Sequence, residues 1–274
     1  MPLGNGFRSP ADTSPEYFFE LAVAQCESCA MVQLMTQPDP AQMFHDSYAF
    51  FSSTSARMAE HFREVAETIR ASYLGDNDPF VAEIGSNDGI MLQHFAKDGI
   101  RHLGIEPSAN VAEVARGKGI NTITEYFNAD LANRIVAEHG QADAFFGANV
   151  MCHIPDLNSV AAGIKALLKP KGVLIFEDPY LGDIIEKTSY DQIYDEHAFY
   201  FSVTSVSEWF ARHDMEVIDA EHQEVHGGSM RYTVAHKGAR KVSESVGREL
   251  RREQELGLRE PATFIQFRNN VERS

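Results

Sequence analysis

The chain has 274 residues, of which 43% are hydrophobic, and carries a formal net charge of −16 at pH 7. This length can bury the core of one full-sized domain plus an appendage. The acidic charge, with no Lys/Arg cluster before residue 237, argues against a nucleic-acid substrate, because nucleic-acid binders need a basic face. The apolar runs are too short for a membrane span and the N-terminus has no apolar signal region, so a cytoplasmic location is expected. Three cysteines, an odd number, argue against a disulfide framework.

The first 78 residues lack the pattern of an α/β core. Residues 1–53 are irregular and predict a small N-terminal appendage, with a short strand within FFELAVAQC and a tight turn at CESC. Residues 54–78 predict a connecting helix that ends at LGDNDP, because apolar residues recur at spacings of three and four. These residues are Met58, Phe62, Val65, Ile69 and Tyr73.

Residues 79–238 alternate between predicted strands and helices, which indicates a doubly wound α/β layer. The strand candidates are PFVAEIG, RHLGIEP, NTITEYF, ADAFFGAN and GVLIFED, and GIMLQHFAK is among the helices between them. Several of these strands are apolar almost throughout, as in a parallel sheet covered on both faces. A later helix has Ser205 and Glu208 as its predicted capping box. Two last strands joined by HGGS can pair as a hairpin, which would place one antiparallel strand in the mostly parallel sheet.

A glycine-containing loop follows the first strand of this layer. It runs from Glu83 to Gly89 with the sequence EIGSNDG, so Asn87 and Asp88 lie between Gly85 and Gly89. A tight turn between a strand and a helix lets a ligand bind to backbone N–H groups at the start of the helix. The spacing departs from the G-x-G-x-x-G of dinucleotide-binding folds, which weakens that interpretation. An ordinary turn is the alternative for the glycines alone.

The ends of the next strands carry polar and aromatic residues that suit a nucleoside. Glu106, followed by Pro107, ends the second strand roughly 20 residues after the loop, where a carboxylate can accept both ribose hydroxyls. Tyr126 and Phe127 can stack on the base or, equally, pack in the core. Asn149 follows the fourth strand at the same carboxyl edge. Together with the loop, these positions predict nucleoside binding.

The segment YDEHAFYF at 194–201 combines proton-transfer groups with an aromatic run. In an extended segment Tyr194 and Glu196 share one face and Asp195 and His197 the other. In a helical segment Tyr194 and His197 meet at i, i+3. Either arrangement leaves one carboxylate to orient His197, whose imidazole titrates near neutral pH and suits a general base. A surface ion pair in a loop is the alternative when the motif is taken alone.

Several motifs together resemble a known family. The glycine loop resembles motif I of class I S-adenosylmethionine-dependent methyltransferases. The run FEDPYLGDIIEKTSYDQIYDEHAFYFS resembles the C-3 methyltransferases of antibiotic deoxysugar biosynthesis, and so do CESCAMVQL, EIGSNDGIMLQHF, GIEPS, CHIP and VHGGSMRYT. The likeness covers essentially the whole chain in the family's order. It implies a class I methyltransferase (Rossmann-like) sheet over 79–238 with S-adenosylmethionine as cofactor.

The resemblance also implies a substrate and a set of roles. The family transfers a methyl group to C-3 of a nucleotide-linked 4-keto-deoxysugar through an enolate. His197 would take the C-3 proton. Tyr194, Glu196, His153 of CHIP and Tyr48 of the appendage would line the same site. For His153 and Tyr48, a helix-entry histidine and a packing aromatic are the alternatives.

The sequence departs from the family pattern at both ends. The family's zinc module has two C-x-x-C pairs, whereas this chain has only Cys26 and Cys29. Two thiolates do not complete a tetrahedral zinc site, so other ligands such as His45 would have to substitute. Residues 239–274, dense in charge, predict an exposed helix or linker toward the family's C-terminal domain, which is expected to be absent.

Two other functions stay open at this point. One is methyl transfer to oxygen or nitrogen of another small molecule on the same fold. The other is a truncated remnant that binds the cofactor without turnover.

Overall fold

The computed structural model describes residues 2–4, 9, 11, 13–39, 43, 50–75 and 77–274. Its strands are β1 (Val23–Gln25), β2 (Val32–Leu34), β3 (Phe80–Ile84), β4 (Arg101–Ile105), β5 (Thr122–Ile123), β6 (Ala142–Ala148), β7 (Leu168–Pro179), β8 (Phe199–Tyr200), β9 (Met215–Gln223) and β10 (Ser229–His236). Its α-helices are α1 (Ala56–Tyr73), α2 (Gln93–Ala96), α3 (Ala109–Gly117), α4 (Ala129–His139), α5 (Leu157–Leu167), α6 (Leu181–Lys187), α7 (Val203–Ala211), α8 (Glu244–Leu256) and α9 (Pro261–Val271).

Seven strands form the central sheet in the order β5-β4-β3-β6-β7-β10-β9. Strands β5, β4, β3, β6 and β7 are parallel, whereas β10 is antiparallel to both β7 and β9. The predicted mostly parallel sheet with one antiparallel strand is therefore confirmed. The chain leaves β3 toward β4 on one side and later returns to β6 on the other. This reversal of strand order is where open α/β sheets bind ligands.

The sheet is apolar because helices cover both of its faces. All five residues of β3 are buried. On one face, Phe62, Val65 and Ile69 of α1 pack around Val81, and on the other, Ile164 of α5 packs in the larger core cluster. Burial of such a side chain contributes roughly 1.5–3 kcal/mol. Ser55 caps α1 by accepting a hydrogen bond from the backbone of Met58, as expected for a helix beginning near residue 54.

Three local predictions differ from the structure. Helix α7 begins at Val203, and its capping box consists of Ser202 and Ser205, so the Ser205–Glu208 box was wrong. Only Gln93–Ala96 of GIMLQHFAK is α-helical, because the preceding residues form turns around the glycine loop. Strand β5 has two residues, since the remainder of NTITEYF turns away from the sheet.

A second, antiparallel sheet joins the N-terminal part of the chain to the segment YDEHAFYF. Its order is β1-β2-β8, and Val32 of β2 pairs with Tyr200 of β8. Tyr200 is 1% exposed. The N-terminal strands therefore hold the aromatic half of the segment in place.

The last 36 residues form two helices, the first of which packs on the domain. Val246 of α8 joins the main core. Glu253 is 2% exposed and accepts hydrogen bonds from the backbone N–H groups of Val203 (2.6 Å) and Thr204 (2.8 Å). It also accepts one from the hydroxyl of Tyr180 at 3.0 Å. A carboxylate of α8 thus satisfies the N-terminus of α7. None of the helices in the described chain combines the length and apolarity needed to cross a membrane.

Candidate active site

A cavity of about 510 Å³ opens where β3, β4, β6 and β7 end. Residues from both predicted sets line this cavity. The predicted cofactor residues in its wall are Gly85, Asn87, Glu106, Pro107, Tyr126, Phe127 and Asn149. The predicted proton-transfer residues in its wall are His153, Tyr194, Glu196 and His197. Because the carboxyl ends of parallel strands meet at one edge, residues far apart in the sequence converge here. The volume lies within the range of small-molecule sites.

The glycine loop requires glycine at both ends. Gly85 has φ +62, and a Cβ added there would lie 2.7 Å from a methyl carbon of Val150. Gly89 has φ +79, and its added Cβ would lie 2.8 Å from the side chain of Ile120. Between them Asn87 also has a left-handed backbone, with φ +47, a conformation that asparagine tolerates better than most residues. The loop therefore brings backbone to the cavity edge without bulky side chains.

Glu106 is fixed at the end of β4 by two backbone donors. Its carboxylate accepts hydrogen bonds from the N–H groups of Asn87 at 3.0 Å and Ser108 at 2.8 Å. Burial raises the pKa of Glu106, although the bonds from Ser108 and Asn87 oppose that shift. A carboxylate has further acceptor positions beyond these two bonds. A buried acceptor beside a glycine loop fits a ribose of a nucleoside cofactor.

Three predicted cofactor residues, Glu83, Asp88 and Gly89, are not among the cavity-lining residues. Glu83 is 3% exposed, and no described residue gives its Oε2 a hydrogen bond. Burial, reinforced by the nearby charges of Glu106 and Asp88, raises its pKa well above the usual range. Gly89 and Asp88 shape and anchor the loop instead.

The two aromatic candidates differ in their surroundings. Tyr126 is 47% exposed, so its ring is accessible at the cavity edge. Phe127 is 5% exposed and packs on Phe145 with ring centroids 4.9 Å apart. Stacking on an adenine therefore suits Tyr126, while Phe127 is mainly a core residue. Asn149 has φ +52 and donates its backbone N–H to the carbonyl of Glu177 at 2.7 Å, which fixes the end of β6.

The polar half of YDEHAFYF is a tight turn. The N–H of His197 donates to the carbonyl of Tyr194 at 3.2 Å. Nδ1 of His197 lies 2.8 Å from the carbonyl oxygen of Gln192, so Nδ1 carries the hydrogen and Nε2 has the lone pair. Nε2 lies 3.2 Å from the hydroxyl of Tyr194. Burial, with the nearby His153 as the second cause, lowers the pKa of His197 to about 3. The imidazole is therefore neutral at pH 7.

The expectation that a carboxylate of this segment orients His197 was wrong. The backbone carbonyl of Gln192 takes that role, and the carboxylate of Asp195 accepts hydrogen bonds from the N–H of Gly4 at 3.0 and 3.1 Å. Glu196 contributes its backbone carbonyl, which lies 2.6 Å from Nδ1 of His153. Burial lowers the pKa of His153, and its ring centroid lies 5.1 Å from that of His197.

Sequence reasoning missed a strap, residues 50–54, that crosses the glycine loop. Phe50 and Ser52 line the cavity. Oδ1 of Asn87 accepts a hydrogen bond from the N–H of Ser52 at 3.0 Å, and Nδ2 of Asn87 donates to the carbonyl of Phe50 at 3.1 Å. The strap binds through backbone groups, which leave no signal in the sequence. Tyr48 and His45, predicted for the site and for a metal, lie outside the described residues.

The predicted metal ligands Cys26 and Cys29 lie in one turn between β1 and β2. The N–H of Cys26 donates to the carbonyl of Met31 at 2.8 Å, and the N–H of Ala30 donates to the carbonyl of Cys26 at 2.8 Å. Hydrogen bonds from the backbone of Cys29 and Ser28 lower the pKa of the Cys26 thiol. Burial raises that of Cys29. The two thiols are thus adjacent, as two ligands of a shared site would be.

Residues 57–220 match the family described as "Methyltransferase domain". The chain belongs to the S-adenosylmethionine-dependent methyltransferases. Its cofactor is therefore S-adenosylmethionine, in keeping with the acceptor and loop described above. Residues 1–44 match a family described as "Putative zinc binding domain", and residues 224–274 match "C-methyltransferase C-terminal domain". The last match begins in the β9–β10 hairpin region and includes α8 and α9.

Individual relatives agree with this family. The C-methyltransferase NovU of Streptomyces niveus is 33% identical over 272 residues, which cover 98% of this chain and 64% of NovU. The chain thus spans 64% of the length of that relative. A ubiquinone biosynthesis O-methyltransferase of Pasteurella multocida is 32% identical over 109 residues, 35% of this chain and 44% of that protein. The CcbJ methyltransferase of Streptomyces caelestis shares the fold, with a TM-score of 0.50 and 11% identity over 65% of this chain and 90% of that one.

Proposed function

We propose that this methyltransferase transfers a methyl group to C-3 of a nucleotide-linked 4-keto-deoxysugar, through an enolate formed with His197 as the base. The observation that carries the proposal is the position of a neutral, oriented imidazole beside a phenol in the cavity that also contains the cofactor residues. Carbon becomes a nucleophile only after loss of a proton next to a carbonyl, so a base is required. Similarity to the C-methyltransferase NovU supports carbon as the acceptor.

In this proposal each side chain has a distinct task. Nε2 of His197 accepts the C-3 proton, since Nδ1 is occupied by the carbonyl of Gln192. The hydroxyl of Tyr194 stabilises the negative charge that develops on the C-4 oxygen. That charge raises the pKa of the imidazole as the proton moves, which offsets the low pKa caused by burial. His153 and Glu196 line the same wall and position the sugar.

The cofactor end of the cavity orients the methyl donor. Glu106 would accept hydrogen bonds from the ribose hydroxyls, and Tyr126 would cover the adenine. The backbone at Gly85 and Asn87 would contact the remainder of the cofactor. Bound S-adenosylmethionine supplies an electrophilic methyl group. The protein's contribution is to hold the donor in line with C-3 and to exclude water with the strap.

Labelled methyl transfer tests which atom is methylated. The chain is incubated with a nucleotide-linked 4-keto-6-deoxysugar and cofactor carrying ¹³C in its methyl group, and the product is analysed by carbon NMR. We expect the labelled methyl carbon to be coupled to C-3. A labelled methyl on oxygen would exclude the proposal and favour an activity like that named for the relatives in ubiquinone biosynthesis.

Proton exchange tests the base separately from methyl transfer. In D₂O with S-adenosylhomocysteine present, the C-3 hydrogen of the substrate should exchange with solvent deuterium. His197→Asn should slow this exchange by about 10²–10⁴-fold, whereas His139→Asn, on the exposed end of α4, is the matched control and should not. Equal rates of exchange in the two variants would show that His197 is not the base that takes the C-3 proton. Cofactor binding without exchange or transfer would identify an inactive remnant.

A further inference from the structure

The turn between β9 and β10 places in the cavity wall a histidine that methyl transfer, as proposed, does not use. Because β10 is antiparallel to both β7 and β9, this turn lies at the carboxyl edge of the sheet, where α/β sheets bind ligands. His226 of the turn lines the cavity and is exposed. Its ring forms no hydrogen bond with the described part of the chain. The ring is therefore available to a ligand.

The backbone of this turn is held in an unfavourable conformation. His226, Gly227 and Gly228 have φ values of +51, +80 and +130, and the left-handed region is uncommon for a residue with a side chain. Nζ of Lys187 in α6 donates to the carbonyl of Gly227 at 2.7 Å and to the carboxylate of Asp183 at 2.8 Å. A Cβ at Gly228 would overlap that carboxylate. The surrounding residues thus impose the conformation that sets His226 in the wall, and such strain concentrates at functional sites.

A second cationic side chain acts on His226 and has no carboxylate partner. Arg57 is exposed in the first turn of α1 and precedes Met58, which lines the cavity. Its charge is close enough to act on the ring of His226. The other two arginines of α1, Arg63 and Arg70, form ion pairs with carboxylates, whereas Arg57 forms none with the residues that the structure describes. In a protein of net charge −16, these two side chains provide a local attraction for an anion.

The carboxylate that acts on His226 is already neutralised. Glu177 has a side chain that is 1% exposed, and its oxygens lie 2.7 Å from Nε2 of His61 and 2.5 Å from Nε of Arg231. Burial lowers the pKa of His226; Glu177 opposes this shift, and the charges of His61 and Arg57 add to it. The ring is therefore neutral at pH 7 in the free protein. A bound anion would raise its pKa, so that binding is accompanied by uptake of a proton.

We propose that Arg57 and His226 form an anion-binding subsite at the mouth of the cavity, and that this subsite holds the diphosphate of the nucleotide-linked substrate. The inference rests on the proposed function, because it takes the substrate to be a sugar whose C-1 carries a diphosphate. With C-3 placed at His197, the diphosphate extends from C-1 toward the opening. The charge of His226 acts on His197, as expected for two rings that line one cavity. A guanidinium and an imidazolium both donate charge-assisted hydrogen bonds to phosphate oxygens.

Calorimetric titration with inorganic pyrophosphate, in the presence of S-adenosylhomocysteine, tests the subsite without the nucleoside or the reaction. We expect binding that weakens on the order of 10-fold in Arg57→Gln and in His226→Asn, because each variant loses a charge-assisted hydrogen bond. Asparagine tolerates a left-handed backbone, so His226→Asn should fold. Arg63→Gln is the matched control, since Arg63 lies on the same helix but is paired with Glu60 and Glu67, and it should bind like the wild type. No binding in the wild type, or undiminished binding in either variant, overturns the subsite.

The pH dependence separates direct contact from a structural role. Protonated His226 binds the anion better than the neutral ring, so from about pH 8 to about pH 6 the wild type should gain more affinity than His226→Asn. Pyrophosphate also takes up protons in this range, but it does so equally with both proteins. The other groups that act on His226 or feel its charge, Glu177, His61, Arg57 and His197, are present in both. A ratio of the two affinities that does not change with pH would overturn His226 as a ligand.

Kinetics show which anion the subsite holds. Arg57→Gln should raise the KM for the sugar nucleotide on the order of 10-fold and leave kcat within about twofold, because the diphosphate contact is the same in the ground state and the transition state. Its affinity for S-adenosylhomocysteine should stay within about twofold of wild type. An equal loss of that affinity would assign the anion to the carboxylate of the cofactor and overturn the diphosphate subsite. A product methylated on oxygen, with pyrophosphate still bound through Arg57 and His226, would contradict the proposed function and support the subsite, so the two failures are distinguishable.

Discussion

Asn87 connects the strap to the glycine loop, and its loss should open the cofactor end of the cavity. Its side chain makes two hydrogen bonds across the gap, one accepted from the N–H of Ser52 (3.0 Å) and one donated to the carbonyl of Phe50 (3.1 Å). Its backbone has φ +47. Asn87→Ala removes both bonds and places an alanine in a left-handed conformation. Asn87→Gly removes the same bonds without that strain.

The expected destabilisation follows from the two hydrogen bonds and the left-handed backbone of Asn87. Each neutral hydrogen bond contributes about 0.5–1.5 kcal/mol net, and a left-handed backbone costs alanine about 1–2 kcal/mol. Asn87→Gly should therefore weaken the closed strap by about 1–3 kcal/mol, and Asn87→Ala should destabilise the loop by about 2–5 kcal/mol. If closure is coupled to cofactor binding, about 1.4–2.8 kcal/mol corresponds to a 10- to 100-fold loss of affinity.

Calorimetry with S-adenosylhomocysteine measures this loss, and hydrogen exchange over residues 50–54 shows whether the strap has opened. Asn87→Asp is the matched control, because it can still accept the bond from Ser52 while losing the bond to Phe50. We expect its affinity to lie between that of the wild type and that of Asn87→Gly. Faster exchange in the strap of Asn87→Gly, with affinity within twofold of wild type, would refute the coupling of strap closure to cofactor binding.

Three further predictions concern other parts of the fold. Glu253→Ala should lower the free energy of unfolding by about 2–6 kcal/mol in urea titrations, because it leaves the buried N–H of Val203 and the buried hydroxyl of Tyr180 without an acceptor, at about 1–3 kcal/mol each; a loss below about 1 kcal/mol would contradict this role. Gly85→Ala should lower the melting temperature and abolish its rise with S-adenosylhomocysteine, since the added Cβ lies 2.7 Å from Val150; an intact ligand-induced rise would argue against the tight fit. Burial would raise the pKa of Glu177, but hydrogen bonds and charges of His61 and Arg231 lower it overall. The unfolded state therefore takes up the proton first as pH falls, and stability that is present at pH 7 is lost on acidification below about pH 4.5. In Glu177→Gln the free energy of unfolding, measured at decreasing pH from neutrality, should fall less steeply than in the wild type. An equally steep fall would show that other carboxylates cause the loss of stability in acid.

The sequence predicted the features that depend on side-chain periodicity and on strand ends. Continuous apolar strands predict a parallel sheet, and a parallel sheet brings the ends of its strands to one edge. That rule alone placed Gly85, Glu106 and Asn149 near one another, and all three line the cavity. The same logic located His153 close to the end of β6. The resemblance to a family added the importance of His197, which neither charge nor periodicity could supply.

Other features could not be predicted because they depend on backbone atoms. Any residue at position 192 has a carbonyl group, so nothing in the side chain of Gln192 indicates that it orients His197. The strap binds Asn87 through the backbone of Phe50 and Ser52 for the same reason. Glu253 resembles its charged neighbours in sequence, and only tertiary packing buries it at the start of α7. Charge density alone therefore overestimates how exposed the C-terminal helices are.

The N-terminal strands support the proposed chemistry because they hold the turn that contains His197, the proposed base. His197 lies between two points that this part of the chain holds: Asp195 accepts the N–H of Gly4, and Tyr200 pairs with Val32. A buried imidazole is costly unless its ring nitrogens keep their hydrogen-bond partners. A turn that is fixed on both sides can keep those partners, and hence the tautomer, in place. The turn with Cys26 and Cys29 connects the two strands that provide this support. Any metal bound there would act on catalysis indirectly, by stiffening β2 and hence the turn that contains His197.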